Sequence, residues 1–263
     1  MDLLLTDRTV VVTGASSGVG LATSRLLLSE GARVVAVARD PERLQRAFDD
    51  RGDRDHVLVA PADVTDRAAV ERAVAAGVER FGGVDGAVCN AGRSLMATIS
   101  DTTDDQIRDE LDLKIFGAWN VIRAVRPHLA ASSAGAVVTI NAILAKQPEA
   151  RLAITSAARA ALLNLSRTLA EELAPEGVRL NSVNLGLIDT GQWRRRFETY
   201  RDEGGPLDYD AWSAELAADR GISSGRFGTA DEVAFAIVSL LSPRASYITG
   251  AHVDVGGGVT RQP

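Results

Sequence analysis

The chain has 263 residues, 46% of them hydrophobic, and 29 basic against 35 acidic side chains for a net charge of −6. That much apolar material fills a large core and excludes disordered and fibrous classes, while a pI near 5.2 excludes the clustered basic footprint of a nucleic-acid binder. Cys89 is the single cysteine, so no internal disulfide is expected, a reducing, cytoplasmic compartment is the default, and no run approaches the ~20 apolar residues of a membrane span.

Along the chain, short β-branched runs alternate with helical stretches. The first seven residues carry no basic segment ahead of an apolar one, so no leader is expected. Thr9–Thr13 reads as a strand, followed by a Gly-rich turn and an amphipathic helix over 19–29. Arg33–Ala38 reads as the second strand, and Asp40-Pro41 then opens a helix with an N-cap and a proline at its first position. Residues 57–60 form the third strand, 66–81 a helix and 84–89 the fourth strand. The fifth and sixth strands fall at 136–140 and 178–183, separated by a helix over 152–174. These runs are nearly continuous in apolar residues, as strands covered on both faces must be. Strand–helix alternation of this kind predicts right-handed crossovers and a single-domain, doubly wound α/β fold of the Rossmann type over 1–263, with a parallel sheet.

The stretch 191–224 breaks the pattern. It holds Trp193, Trp212, Tyr200 and Tyr209 together with Gly204-Gly205-Pro206, and reads as an irregular insertion acting as a substrate loop or lid, or else as a packing element at a subunit contact.

Thr13-Gly14-Ala15-Ser16-Ser17-Gly18-Val19-Gly20 lies directly after the first strand and opens the first helix. Gly14 permits the tight turn, Gly18 lets the backbone approach a phosphate, and Gly20 lets helix and strand pack closely; the helix N-terminus then faces a dinucleotide pyrophosphate. Ser16, Ser17 and Val19 belong to the same cradle.

The Thr-Gly, three residues, Gly-x-Gly spacing resembles the short-chain dehydrogenase/reductase family, and further matches follow along nearly the whole chain. Asp63-Val64 stands where that family contacts adenine, and Asn90-Ala91-Gly92 ends the fourth strand as its Asn-Ala-Gly does. The run 184–190 resembles the loop that holds the nicotinamide carboxamide, with Leu185 where proline is usual. Gly186 and Ile188 belong to that loop, and Thr190 is the implied pyrophosphate ligand. Residues 247–250 and 253–257 resemble the family's last strand, so the resemblance implies a seven-stranded parallel sheet. An acid at the end of the second strand would bind a ribose 2′-hydroxyl; here Ala38 takes its place and Arg39 follows, which favours NADP(H), with NAD(H) as the other reading.

The resemblance also implies an Asn, a Ser, a Tyr and a Lys as working residues, and this chain departs from it at all four. Counting back about thirty residues from Leu185 and forward about thirteen from Ala142 both reach Thr155 in the Tyr place. Arg159 then takes the Lys place, Ala142 the Ser place and Lys114 the Asn place. A threonine hydroxyl lacks the phenol's acidity and reach, and an alanine donates nothing, whereas Arg159 can still grip a ribose. Only two of the 29 basic residues are lysines, Lys114 and Lys146. Lys114 is expected to project toward the cleft, where like charge from Arg159 and desolvation would lower its pKa and suit it to acid/base work; the plainer expectation is a lysine that pairs with a carboxylate. Asn141, Glu149 and Ser156 are candidate polar supports.

Arg194-Arg195-Arg196 suggests recognition of an acidic or CoA-linked small-molecule substrate, or else a solvated face balanced by Glu198 and Asp202. The three histidines do not cluster, so no metal is expected. The resemblance implies a homodimer or homotetramer, and the apolar stretch around Ala160, Ala161, Leu162, Leu163 and Leu165 is what a helix buried against a neighbouring subunit would show. Three functions fit these residues: an oxidoreductase with a non-standard proton source, a non-redox isomerase, lyase or cyclase, and a non-catalytic cofactor-binding subunit.

Overall fold

The structure, a computed structural model, describes residues 2–49 and 55–261. Seven strands form one sheet: β1 (Thr9–Thr13), β2 (Arg33–Ala38), β3 (Val57–Pro61), β4 (Gly86–Cys89), β5 (Ala136–Ala142), β6 (Arg179–Leu185) and β7 (His252–Val255). Their order is β3-β2-β1-β4-β5-β6-β7, and every pairing is parallel. The helices are α1 (Gly18–Ser29), α2 (Pro41–Arg46), α3 (Arg67–Phe81), α4 (Asp104–Leu111), α5 (Gly117–Ala131), α6 (Ala153–Leu173), α7 (Gly191–Asp202), α8 (Tyr209–Asp219) and α9 (Ala230–Leu241).

The period of two in the strands divides the core. Val10 and Val12 of β1 join Val34 and Ala36 of β2 against α1 and α9, while Val11, Val35 and Val37 face α3 and α5. The chain leaves β3 on one side and returns to β4 on the other side of β1, so the strand order reverses between β1 and β4. Ligands of open α/β sheets bind beyond the carboxyl ends of the strands at such a reversal.

Local chemistry explains the helix starts. Asp40 caps α2 by accepting from the Arg43 N–H at 3.0 Å, with Pro41 at the first helical position, as the dipeptide predicts. Asp66 caps α3 in the same way through the Ala69 N–H at 3.1 Å, which moves the predicted helix start from 66 to 67.

The expectation of an irregular stretch over 191–224 is corrected. It folds into α7 and α8, hinged at Gly204-Gly205-Pro206, with Asp208 capping α8 through the Ala211 N–H at 2.9 Å. Aromatic rings, rather than an apolar stripe, hold the pair together. Phe197 meets Tyr209 edge-on at 5.2 Å and Trp212 at 5.5 Å, while Trp193 packs edge-on against Phe227 at 5.2 Å.

Candidate active site

A cleft of about 1340 Å³ runs across the carboxyl ends of the strands. At its nucleotide end, Gly14 and Gly18 have φ of +69° and +55°, a region that glycine enters without strain. A Cβ on Gly20 would lie 2.3 Å from the Gly14 carbonyl oxygen, so the turn closes only around a bare Cα. Asn90 fixes this turn to β4: its amide Nδ2 donates to the Thr13 carbonyl at 2.9 Å, and the Thr13 hydroxyl accepts from the backbone N–H of Asn90 and of Ala91. Ser17 takes the N-cap position of α1 but makes no side-chain bond to the first turn. The first-turn amides therefore keep their donor capacity for an anion.

Across the cleft stands Thr190, whose side chain would be 3.4 Å from a Cβ on Gly18. Ser16, Ser17, Val19, Val64, Ala91, Gly92, Gly186 and Ile188 line the same space. Asp63 accepts from the Thr65 N–H and hydroxyl at 2.9 and 2.7 Å through one carboxylate oxygen, Oδ1. Partial burial opposes its ionisation, but these bonds and the charges of Arg39 and Arg93 hold its carboxyl below the usual value. Arg39 reaches the cleft from the end of β2, and Arg43 of α2 joins it. The sequence reading missed Arg43; the signal was its place in the first turn of the helix that Asp40-Pro41 announces.

At the other end, β5 ends at Ala142 and α6 presents Thr155 and Arg159 one turn apart. Arg159 lines the cleft, with Nη1 donating to the Ile140 carbonyl at 2.6 Å and Gly92 leaving room for Nη2. Burial lowers its pKa to about 10, which the charge of Glu110 opposes. Asn141 holds the helix behind it, donating to the Arg159 carbonyl at 3.0 Å.

Lys114 does not project into the cleft as expected. It sits on a π-helical turn, Asp112–Phe116, between α4 and α5. Such turns carry one extra residue and shift the facing of what precedes them. The ammonium is buried in the cleft's rear wall, donating to Glu110 Oε2 at 2.6 Å and to the Arg93 carbonyl at 3.0 Å. It shares a small cavity with Arg159, Val64, Ala91, Leu113 and Ile140, all of which also line the cleft. Desolvation first, and Arg159 second, pull its pKa from 10.5 to about 8 against the pull of Glu110.

The sequence reading also missed Glu110, although Glu110 and Lys114 stand at the i,i+4 spacing of a helical ion pair. Thr155 completes the cluster: its hydroxyl accepts from the Leu95 N–H at 3.0 Å and donates to Glu110 Oε2 at 2.5 Å. Thr155 is fully buried, and Glu110 Oε1 has no hydrogen-bond partner among the described residues.

Of the other candidate supports, Glu149 lines the cleft and pairs with Arg220, whereas the Ser156 hydroxyl bonds back to the Leu152 carbonyl at 2.8 Å. The balance expected from Glu198 and Asp202 is also corrected. Arg194 pairs with Asp189 at 2.5 Å and lies 3.5 Å over the Tyr209 ring, because α7 starts immediately after Asp189-Thr190. Arg195 and Arg196 line the cleft. Among the described residues no group of His, Cys, Asp and Glu is arranged to hold a metal ion, and no helix is long and apolar enough to cross a membrane.

A family model described as enoyl-(acyl carrier protein) reductase matches residues 14–260. The chain belongs to the short-chain dehydrogenase/reductase family. An uncharacterised oxidoreductase of Mycobacterium bovis is 33% identical over 258 residues, covering 98% of this chain and 99% of its own. A short-chain oxidoreductase from Pseudomonas aeruginosa PAO1, solved with NADPH and described as containing an atypical catalytic center, is 42% identical with a TM-score of 0.93, over 98% of this chain and 99% of that one. L-sorbose reductase from Gluconobacter frateurii, solved with NADPH and L-sorbose, is 32% identical with a TM-score of 0.94 over the full length of both chains. Within this short-chain dehydrogenase/reductase fold, the cradle, the arginines beyond β2 and the uncapped α1 amides are the groups that fit a dinucleotide.

Proposed function

We propose that the protein is an NADP(H)-dependent oxidoreductase whose proton is held by a buried Glu110–Lys114 pair instead of the family's tyrosine. NADPH in two similar structures supports the cofactor, as do Arg39 and Arg43, whose guanidinium groups suit a 2′-phosphate where Ala38 replaces an acid. When bound, NADP(H) supplies or accepts the hydride. The protein's own groups do the rest. Gly14, Gly18, the α1 amides and Thr190 hold the pyrophosphate, and Asn90 keeps the turn in place. Arg159 faces the cleft as a fixed positive charge beside the reacting oxygen and grips ribose. Lys114 Nζ holds the proton, and its pKa of about 8 lies close to working pH, where an acid/base group is most effective. Thr155 positions Glu110 from the far side, and Glu110 in turn orients Lys114.

The observation that carries this reading is the 2.6 Å Glu110–Lys114 contact directly behind Arg159. A carboxylate and an ammonium placed together out of solvent cost several kcal/mol to desolvate. Such a pair is a poor investment for stability alone and a fitting one for proton storage.

The substrate in this reading is a small molecule carrying negative charge, as the acid itself or linked to CoA. Arg93, Arg159, Arg195, Arg196, Arg220 and Arg261 line the cleft, and Glu149 lines it with them. The reading includes a homodimer or homotetramer, for which Ala160, Ala161 and Phe116 stand exposed; light scattering measures it. The decisive assay follows NADPH oxidation over panels of anionic ketones, enones and imines. Turnover that Lys114→Met lowers while NADPH stays bound is the expected result. A silent panel with NADPH fully bound, or turnover untouched in Lys114→Met, overturns the proposal.

A further inference from the structure

Glu149 and Arg220 meet across the mouth of the substrate half of the cleft. Glu149 lies on the loop after β5, and Arg220 ends α8, so their ion pair joins the body of the fold to the α7–α8 hairpin. The pair is reachable, with side chains 34% and 28% exposed. Beside it, Arg196 of α7 lies 4.3 Å over the ring of Trp193. Burial first, and the like charge of Arg220 second, lower the Arg196 pKa. Arg196 and Arg220 thus line one cleft together with Glu149, which pairs with Arg220 alone. Fixed arginines of this kind recognise carboxylates by paired, charge-assisted hydrogen bonds.

We propose that Arg196 and Arg220 form a subsite for a carboxylate carried by the substrate, and that Glu149 is its resident occupant, exchanged when that carboxylate enters. The inference rests on the oxidoreductase reading of the same cleft and narrows its substrate to a carboxylic acid. Exchange conserves charge at the subsite, since one carboxylate leaves Arg220 as another arrives. It frees the hairpin from Glu149 and ties it to the substrate instead. Trp193 provides the floor, and its ring makes the event visible.

The test is a fluorescence titration of the NADP⁺-loaded protein with glutarate, dimethyl glutarate and inorganic phosphate. Glutarate is expected to change tryptophan emission saturably and the neutral diester to leave it unchanged. Trp193→Phe removes the response, which separates it from Trp119 and Trp212. In Glu149→Gln the resident competitor is gone, so glutarate binds about tenfold more tightly, while in Arg220→Gln binding is lost and in Arg220→Lys it is partly kept. Unchanged glutarate affinity in Glu149→Gln, equal binding of the diester, or phosphate binding more tightly than glutarate overturns the inference. NADPH affinity measured on the same samples separates the two readings. A wild type that binds glutarate but not NADPH overturns the cofactor assignment alone, and one that binds NADPH but gives no glutarate response overturns the subsite alone.

Discussion

The nucleotide end of the cleft is built from main-chain amides and the voids left by glycines; the chemical end is built from polar and charged side chains set against one another, with Arg159 on the cleft and Glu110, Lys114 and Thr155 buried behind it. The first construction depends on shape. Gly20 has the Gly14 carbonyl oxygen 2.3 Å from where its Cβ would be, and a backbone atom cannot swing aside as the end of a side chain can. The second depends on balance. Glu110, Lys114, Thr155 and Arg159 hold their places through mutual hydrogen bonds and fields, and any of them can change identity if its partners change too. A shape-built end is hard to alter piecemeal, whereas a charge-built end can be re-equipped. This accounts for a chain that keeps the glycine turn while Lys114, Ala142, Thr155 and Arg159 stand where the family resemblance implies Asn, Ser, Tyr and Lys.

The comparison breaks first at the glycines. Gly20→Val is expected to abolish NADPH binding in calorimetry and to lower unfolding stability by roughly 1–3 kcal/mol through overpacking. If it binds nucleotide normally, the nucleotide end is not shape-built.

Next in size is Lys114. Lys114→Met is expected to lower turnover by ~10²–10⁴. Because it strands Glu110 in the interior, the double variant Glu110→Gln/Lys114→Met is the better-folded control, and both should bind NADPH as the wild type does. In the wild type, reduction should slow as pH rises through about 8, where the ammonium loses its proton. Lys114→Arg should stay flat over that range. Stability should move the opposite way: between about 8 and the ordinary 10.5 the unfolded chain binds more protons at this site than the fold does. The wild type therefore gains stability relative to the double variant as pH climbs through that window, which denaturant titrations at several pH values would record.

Arg39→Gln sharpens the comparison at its charged margin. Removing one charge-assisted contact to a 2′-phosphate should cut the preference for NADPH over NADH by about 10- to 100-fold, read as the ratio of the two dissociation constants. The smallest effect concerns the hairpin. The Tyr209 hydroxyl donates to Asp189 at 2.6 Å, and Arg194 binds the same carboxylate. With that second partner retained, Tyr209→Phe should cost only about 1 kcal/mol in thermal unfolding.

What could be read from the residues follows the same division. The strands and the glycine turn are local: a β-branched run, a capping Asp before a proline and a Gly-x-Gly after a strand each act over a few residues, and the fold places them within a residue or two of their expected bounds. The residue types at the chemical end, though not their roles, were legible as well. Where Lys114 points was not, because its facing depends on the π-helical turn, and no local preference in Asp112–Phe116 announces the extra residue. The α7–α8 hairpin escaped notice for a related reason. Its rings attract one another across two helices, and only the folded geometry brings Phe197 onto Tyr209 and Trp212.

The π-helical turn also makes the chemical end sensitive to chain length rather than to composition. Each helical residue advances the facing by about 100°, so deleting any one position within Asp112–Phe116 would restore an ordinary helix and swing α4 around its own axis. Glu110 would then be carried toward solvent with its sequence neighbours unchanged, leaving Lys114 and Thr155 without the oxygen that joins them. One codon fewer would therefore separate the hydrogen-bonded Glu110–Lys114–Thr155 cluster from three unconnected side chains.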